Sequence, residues 1–274
     1  MTEKVFFTCY LMGGLGNQMF QIAHTLSQGF KYNVDCSFKS VAHTPMQAHQ
    51  PTKYIDNIFR NINFKTTLSP TKRITNNWGF KELPINPNVN TEFFGYYQSS
   101  KNFYEFGEKI KDIFSPSENY LEKIYSKYPQ LKNKNNVSIH IRRGDYLKIS
   151  NISPVIDLSY INECLKNIYE YDNIFVLTDD KIWAENNLHY KNLIIPKDLE
   201  DFEELWLISL CRYNIMSNST FSWWGSYLNK TPNKVVFVPS MWFGPDGEKD
   251  YEDLYEPDWK KIKVKFENGK LVCY

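Results

Sequence analysis

The chain has almost no surplus of charge: 32 basic residues stand against 31 acidic ones, a formal net charge of +1. Nucleic-acid binding driven by bulk positive charge is therefore not expected. Its five cysteines (Cys9, Cys36, Cys164, Cys211, Cys273) are odd in number, widely spaced and without a CxxC pair. That spacing suggests neither a zinc site nor a disulfide framework. No apolar run is longer than about eight residues, the length of VFFTCYLM near the start, far short of a bilayer span. A small-residue cleavage signal, internal repeats and low-complexity blocks are absent as well. Together these absences predict a soluble protein of a reducing compartment with no transmembrane segment.

What is present suffices for a large core. Hydrophobic residues make up 42% and aromatic residues 16% of the 274, so disorder is not expected. The length suits one large domain or two modest ones. From 134 to 239 the chain alternates regularly. VSIHI (137–141), NIFVLT (173–178), NLIIP (192–196), NIMSN (214–218) and KVVFVP (234–239) read as strands. Helices are predicted between them over about 157–169, 181–187, 201–213 and 222–228. In the third helix Phe202, Leu205, Trp206 and Ile208 recur at spacings of three and four, one buried face. Five strands alternating with four helices predict a parallel, doubly wound sheet. Ligands of such sheets sit at the carboxyl ends of the strands. The first part opens with strand, glycine loop (Gly13, Gly14, Gly16) and a helix over about 17–31. It is then irregular over 35–92, and helical again over 101–114. KNKNN (132–136) is polar and reads as a linker, which predicts domains 1–132 and 133–274.

Three strand ends carry the candidate chemistry. In VSIHIRRGDY, alternation places His140 and Arg142 on one side near the carboxyl end. Arg142 either grips a phosphate with its planar fork or closes a loop salt bridge with Arg143 and Asp145. In VLTDD, Asp179 and Asp180 follow a strand, and one of them can cap the next helix. No two aspartates stand at i and i+2, so the manganese-binding DxD pair of many sugar transferases is missing and no metal is expected. In MSNSTFSWWGSYLN, Ser219, Thr220 and Ser222 lie where a strand gives way to a helix N-terminus. Such a place binds anions, and hydroxyl capping is compatible with it. Trp223 and Trp224 are expected to pack between helix and sheet. Asn218-Ser219-Thr220 fits the glycan-acceptor triplet, and its place at the site argues against a secretory route. A GxGxxG motif after a strand is lacking, which counts against a dinucleotide-dependent oxidoreductase.

In order along the chain, GGLGNQMFQ, GYYQS, HIRRGDY, TDD and SNSTFSWWGSYLN resemble glycosyltransferase family 11, the α-1,2-fucosyltransferases. The resemblance runs from residue 13 to about 229, and VVFVPSMWF has a family look too. It implies an α/β, GT-B-like fold of two Rossmann-like halves with a donor-binding cleft between them. The implied donor is GDP-β-L-fucose, with no metal or other cofactor. By the same resemblance His140 contacts the guanosine part, Arg142 the β-phosphate, and Ser219, Thr220 and Ser222 the pyrophosphate. Asp179 and Asp180 join the donor-binding set. Gly14 and Gly16 bring backbone close to the donor, and Asn17 faces it; Arg142 and Asn17 are the implied catalytic residues. The implied reaction is an inverting transfer to a hydroxyl, the 2-OH of galactose, of an oligosaccharide or glycolipid acceptor. Charge growing on the leaving phosphate would be stabilised by Arg142 and the helix N-terminus. The base is Asp179, Asp180, a residue of 35–92 or the departing phosphate itself. Acceptor choice is expected to reside in 35–92. The rival readings are a fucosyltransferase of different linkage or acceptor and a non-catalytic sugar-nucleotide-binding protein. The expected location is cytoplasmic, at most peripheral to a membrane carrying the acceptor.

Overall fold

In a computed structural model that describes residues 4–41, 49–76 and 79–274, short apolar strands alternate with helices to build two α/β units. Unit 1 runs through Ser115 and takes in Asp250–Glu256. It contains β1 (Phe6–Cys9), α1 (Leu15–Tyr32), β2 (Asp35–Cys36), β3 (Phe38–Lys39), β4 (Phe64–Lys65), β5 (Lys72–Thr75), β6 (Thr91–Phe94) and α2 (Gly107–Phe114). Four of its strands form a parallel sheet in the order β2-β1-β6-β5. Alternation along the strands decides which side chains meet α1. Phe7, Cys9 and Phe93 are buried on the helix side, where the His24 ring of α1 stands edge-on to Phe93 at 4.9 Å. Thr8, Tyr10, Glu92 and Phe94 take the other face. The return segment is tied in by Asp253, which pairs with Lys101 and accepts the Phe80 backbone N–H at 2.9 Å.

Unit 2 comprises Pro116–Lys249 and Pro257–Tyr274. Its elements are α3 (Glu118–Lys127), β7 (Val137–Ile141), β8 (Val155–Ile156), α4 (Leu158–Lys166), β9 (Ile174–Thr178), α5 (Lys181–Asn187), β10 (Leu193–Ile194), α6 (Asp201–Ser209), β11 (Tyr213–Ile215), α7 (Thr220–Tyr227), β12 (Val235–Pro239), β13 (Lys260–Ile262), β14 (Val264–Glu267) and β15 (Lys270–Cys273). The main sheet is parallel with order β10-β9-β7-β11-β12-β13. All five expected strands are in it, and β13 is a sixth that was not foreseen. Every residue of β7 and β9 is buried, as befits strands covered on both faces. The chain starts in the middle at β7, adds β9 and β10 on one side, then returns to add β11 on the other. Between β7 and β11 the order reverses, which opens a crevice at the strands' carboxyl ends. Trp223 and Trp224 are fully buried, as expected.

The boundary differs from the expected 132/133. It falls at 115/116 because α3 packs on unit 2. Tyr120 meets Phe202 edge-on at 5.6 Å and lies 5.0 Å from Trp206, while Lys123 pairs with the buried Glu203. The polar run 132–136 is no free linker either. Asn136 is fully buried, donates to the Gln130 and Asn133 carbonyls, and accepts from the Asn173 amide. A buried amide that satisfies its neighbours has the composition of a linker and the opposite role.

Candidate functional site

The strand ends of unit 2 gather most of the singled-out residues. His140, next to last in β7, is only 6% exposed, and its Nδ1 lies 2.8 Å from the Ser217 hydroxyl, two residues beyond β11. This one hydrogen bond spans the crevice where strand order reverses. The imidazole also stacks on Phe221, with ring centroids 5.0 Å apart. Burial, helped by the nearby Arg142 charge, pushes the His140 pKa down to about 3. A neutral imidazole offers one donor and one acceptor, suited to reading a polar ligand edge.

Arg142 follows β7 with its side chain 35% exposed. Its Nε donates to Asp145 Oδ1 at 2.8 Å, and Nη1 lies 3.0 Å from Asp179 Oδ2. Asp179 does more than pair with it. Its two oxygens accept the backbone N–H groups of Arg143 (2.8 Å) and Gly144 (3.1 Å). A Cβ at Gly144 would stand 2.9 Å from that carboxylate. Asp180 caps α5 through the Trp183 N–H at 3.1 Å and accepts Arg143 Nε at the same distance. The Arg143 guanidinium lies 4.0 Å over the Trp183 ring. The capping reading of Asp180 and the salt-bridge reading of Arg142 thus both describe this structure.

On the other side of the crevice, Ser219 caps α7 by accepting the Phe221 N–H at 3.3 Å. The helix therefore starts at Thr220, two residues before the expected point. Thr220 is half-buried at its first position. Ser222 is buried, and its hydroxyl is shared between the Ser217 and Ser219 carbonyls (3.2 and 3.1 Å). Its part is to hold the loop's shape rather than to present a free hydroxyl. Tyr146 does similar work from the opposite side, donating to the Asn218 carbonyl at 3.0 Å. Asn218 itself is buried and donates to the Trp242 carbonyl at 2.8 Å, which closes the glycan-acceptor triplet to glycosylation. Sequence reasoning missed Ser217, Phe221 and Tyr146. The signal was their position beside the chosen residues, within RRGDY and MSNSTF.

In unit 1 the glycine loop answers to Asn17. Gly13 has φ +76°, and a Cβ there would come within 2.3 Å of the Asn17 amide nitrogen. Glycine is needed twice, for the left-handed backbone and for the space. Asn17 Oδ1 accepts the Gln98 amide at 2.9 Å. Gly14, extended at the N-cap of α1, has nothing within 4 Å of where a Cβ would be, whereas Gly16 is buried in the helix. Gln18 donates to the Gly13 carbonyl at 3.0 Å, and the Gln21 amide exchanges hydrogen bonds with the Met12 backbone at 3.0 and 3.3 Å. Two amides therefore fix the loop from behind.

Among the described residues no three acid, cysteine or histidine side chains come together as metal ligands, and no helix is long and apolar enough to cross a membrane. What the unit 2 cluster can do is bind an anion between an arginine fork and a helix N-terminus, beside a neutral imidazole.

Residues 1–263 match the family model described as glycosyl transferase family 11. An α-1,2-colitosyltransferase of Escherichia coli is 30% identical, over 92% of this chain and 97% of its own. A galactoside 2-α-L-fucosyltransferase of Caenorhabditis elegans is 22% identical, over 100% of this chain and 80% of its own. Among solved structures, the fucosyltransferase NodZ from Bradyrhizobium aligns with a TM-score of 0.56 at 11% identity, covering 82% of this chain and 93% of that one. POFUT1 in complex with GDP-fucose aligns at 0.51 and 10% identity, covering 87% and 98%. These likenesses bear out the α/β, GT-B-like fold class.

Proposed function

The chain belongs to glycosyl transferase family 11, and on that premise we propose that it transfers L-fucose from GDP-β-L-fucose to a glycan hydroxyl, the 2-OH of galactose, forming an α-1,2 linkage with inversion. The observation that carries this reading is the His140–Ser217 hydrogen bond across the β7/β11 crevice, with Arg142 and the α7 N-terminus beside it. The acceptor oxygen attacks the anomeric carbon while the bond to the β-phosphate oxygen breaks and GDP departs. Negative charge grows on that phosphate, and groups already aimed at it lower the barrier. Arg142 supplies the fork, the first N–H groups of α7 supply dipoles, and neutral His140 reads the guanosine part. Asp179 and Asp180 are each engaged by backbone and arginine N–H groups. That leaves the departing phosphate or a residue of 35–92 to take the hydroxyl proton.

GDP is expected to raise the melting temperature more than GMP, which lacks the β-phosphate assigned to Arg142. At a hundredfold excess over Kd, binding to the folded state adds about 2.7 kcal/mol. Equal shifts with the two nucleotides would remove the Arg142 assignment. Transfer is also expected to persist in EDTA, with guanidinium and helix N–H groups in place of a cation. A loss that manganese restores would overturn the metal-free route. The colitosyltransferase at 30% identity favours a second reading in which the sugar moved is colitose and the chemistry is otherwise unchanged. Turnover with each sugar nucleotide separates the two, and slow donor hydrolysis without acceptor separates either from a non-catalytic binder.

A further inference from the structure

Strand order in unit 1 reverses between β1 and β6, just as it does between β7 and β11 in unit 2. The carboxyl ends of that pair therefore open a crevice of their own. β1 runs into the glycine loop and Asn17, and β6 runs into GYYQS (95–99). One side-chain hydrogen bond joins the two: Gln98 Nε2 donates to Asn17 Oδ1 at 2.9 Å.

The chain after β6 is strained to reach that bond. Gly95 has φ +155°, and a Cβ there would stand 2.0 Å from the Asn76 carbonyl oxygen. Tyr97 has φ +53°, a left-handed conformation that is a genuine outlier for a bulky residue. It is locked there from three sides. Its ring stacks on His24, its hydroxyl is shared between the Ile74 and Phe94 carbonyls (3.4 and 3.3 Å), and its own carbonyl accepts from the Asn102 amide at 3.1 Å. Gln98 is incompletely satisfied as well. Its Oε1 is sealed from water and has no partner among the described residues, and a buried carbonyl left unmatched destabilises a fold. Strain at Tyr97 and an orphan oxygen at Gln98 thus stand side by side, and packing gives no reason for either. What they achieve is the orientation of Asn17. An asparagine amide has a donor end and an acceptor end of nearly equal size. Gln98 Nε2 can only donate, so it claims Oδ1 and leaves Nδ2 as the end turned to the glycine loop, 2.3 Å from where a Gly13 Cβ would stand. Beside it the space around Gly14 is open, with nothing within 4 Å of a Cβ position.

We propose that Gln98 is a positioning residue: it holds the Asn17 amide with its N–H end towards a sugar hydroxyl bound at the β1/β6 crevice, and it acts on sugar transfer only through Asn17. The inference rests on the glycosyltransferase reading and gives GYYQS its part in that reaction.

The measurement is GDP release from GDP-fucose or GDP-colitose, with methyl β-galactoside as acceptor and with water alone, beside the melting temperature. Gln98→Met keeps the length of the side chain and removes both its donor and its sealed oxygen. It should lower kcat about 10²-fold, leave KM for the sugar nucleotide unchanged, and melt no lower than the wild type. Gln98→Glu accepts but cannot donate, so it draws Nδ2 in place of Oδ1 and turns the Asn17 amide round. The same fall in kcat is expected of it. Adding Gln98→Met to Asn17→Ala should change kcat no further, because nothing is left to orient. Additive losses, or near-normal kcat in Gln98→Met, overturn the inference. So does the pattern of a structural glutamine, a lower melting temperature with kcat kept. If Gln98→Met does not fold, Gln98→Glu, of the same shape, decides between these outcomes. A wild type that releases no GDP under any of these conditions strikes the transfer reading itself, whereas an active wild type with equally active variants strikes only the role of Gln98.

Discussion

Arg142→Lys should lower sugar transfer about 10²–10³-fold, nearly as far as Arg142→Ala. An arginine serving only as a loop cation tolerates lysine, because charge alone matters there. Here Nε is directed to Asp145 and Nη1 to Asp179, which sets the guanidinium plane and leaves the remaining N–H groups for a ligand. Lysine keeps the charge but is a point donor on a flexible stem, unable to hold two carboxylates and a phosphate in one plane. Loss of a well-placed contact to a leaving group costs about 3–4 kcal/mol in the barrier. The fold should hold, since partly exposed ion pairs contribute about 0–1 kcal/mol. Transfer rate and melting temperature of both variants decide it. Near-normal transfer by the lysine variant would return Arg142 to a structural role.

Acid should destabilise unit 1 by about 2 kcal/mol between pH 7 and pH 5, through His24. This imidazole is buried in α1, stacked on Tyr97 with centroids 3.9 Å apart and planes 4° from parallel. Burial pushes its pKa down to about 3, and the nearby Asn102 amide opposes the shift slightly without completing a hydrogen bond to either ring nitrogen. The folded pKa lies below the unfolded value near 6.5. The unfolded chain therefore takes up a proton that the folded one refuses, and stability present above pH 6.5 is lost as pH falls towards 3. Unit 2 has the same kind of histidine in His140, but an opposing group as well. Burial raises Glu204 to about 7 against the pull of Lys181, so Glu204 adds stability as pH falls through 7. The two effects in unit 2 largely offset each other, and the unopposed one is in unit 1. His24→Phe keeps the ring contacts and should flatten the fall in melting temperature from pH 7 to 5. An unchanged slope in that variant would place the acid sensitivity elsewhere.

The doubly wound unit was legible because β9 and β12 are nearly continuous apolar runs between helices, and period-two alternation in β7 found His140. Other features lie beyond what composition records. Asn136 looks like a linker residue until Asn173 is seen to donate to it. Strands β3, β4 and β5 are two to four residues long, and β5 (KRIT) has a single buried position. No periodicity can announce them. Ser217 and Tyr146 work through a ring nitrogen and a backbone carbonyl far away in sequence, and such partners are set only by the fold. For Arg142 the salt-bridge alternative describes the structure, and the carboxylates that bridge it fix the plane of its guanidinium.

The Asp250–Glu256 segment that completes unit 1 sets a timetable for synthesis. The acid that binds Lys101 and the Phe80 N–H is translated long after the rest of that unit. At about 5–20 residues per second, the roughly 140 residues from Ser115 to Glu256 take on the order of ten seconds. A nascent unit 1 must wait that long for its last piece, while unit 2 emerges around it. No single cut in the gene yields unit 1 whole.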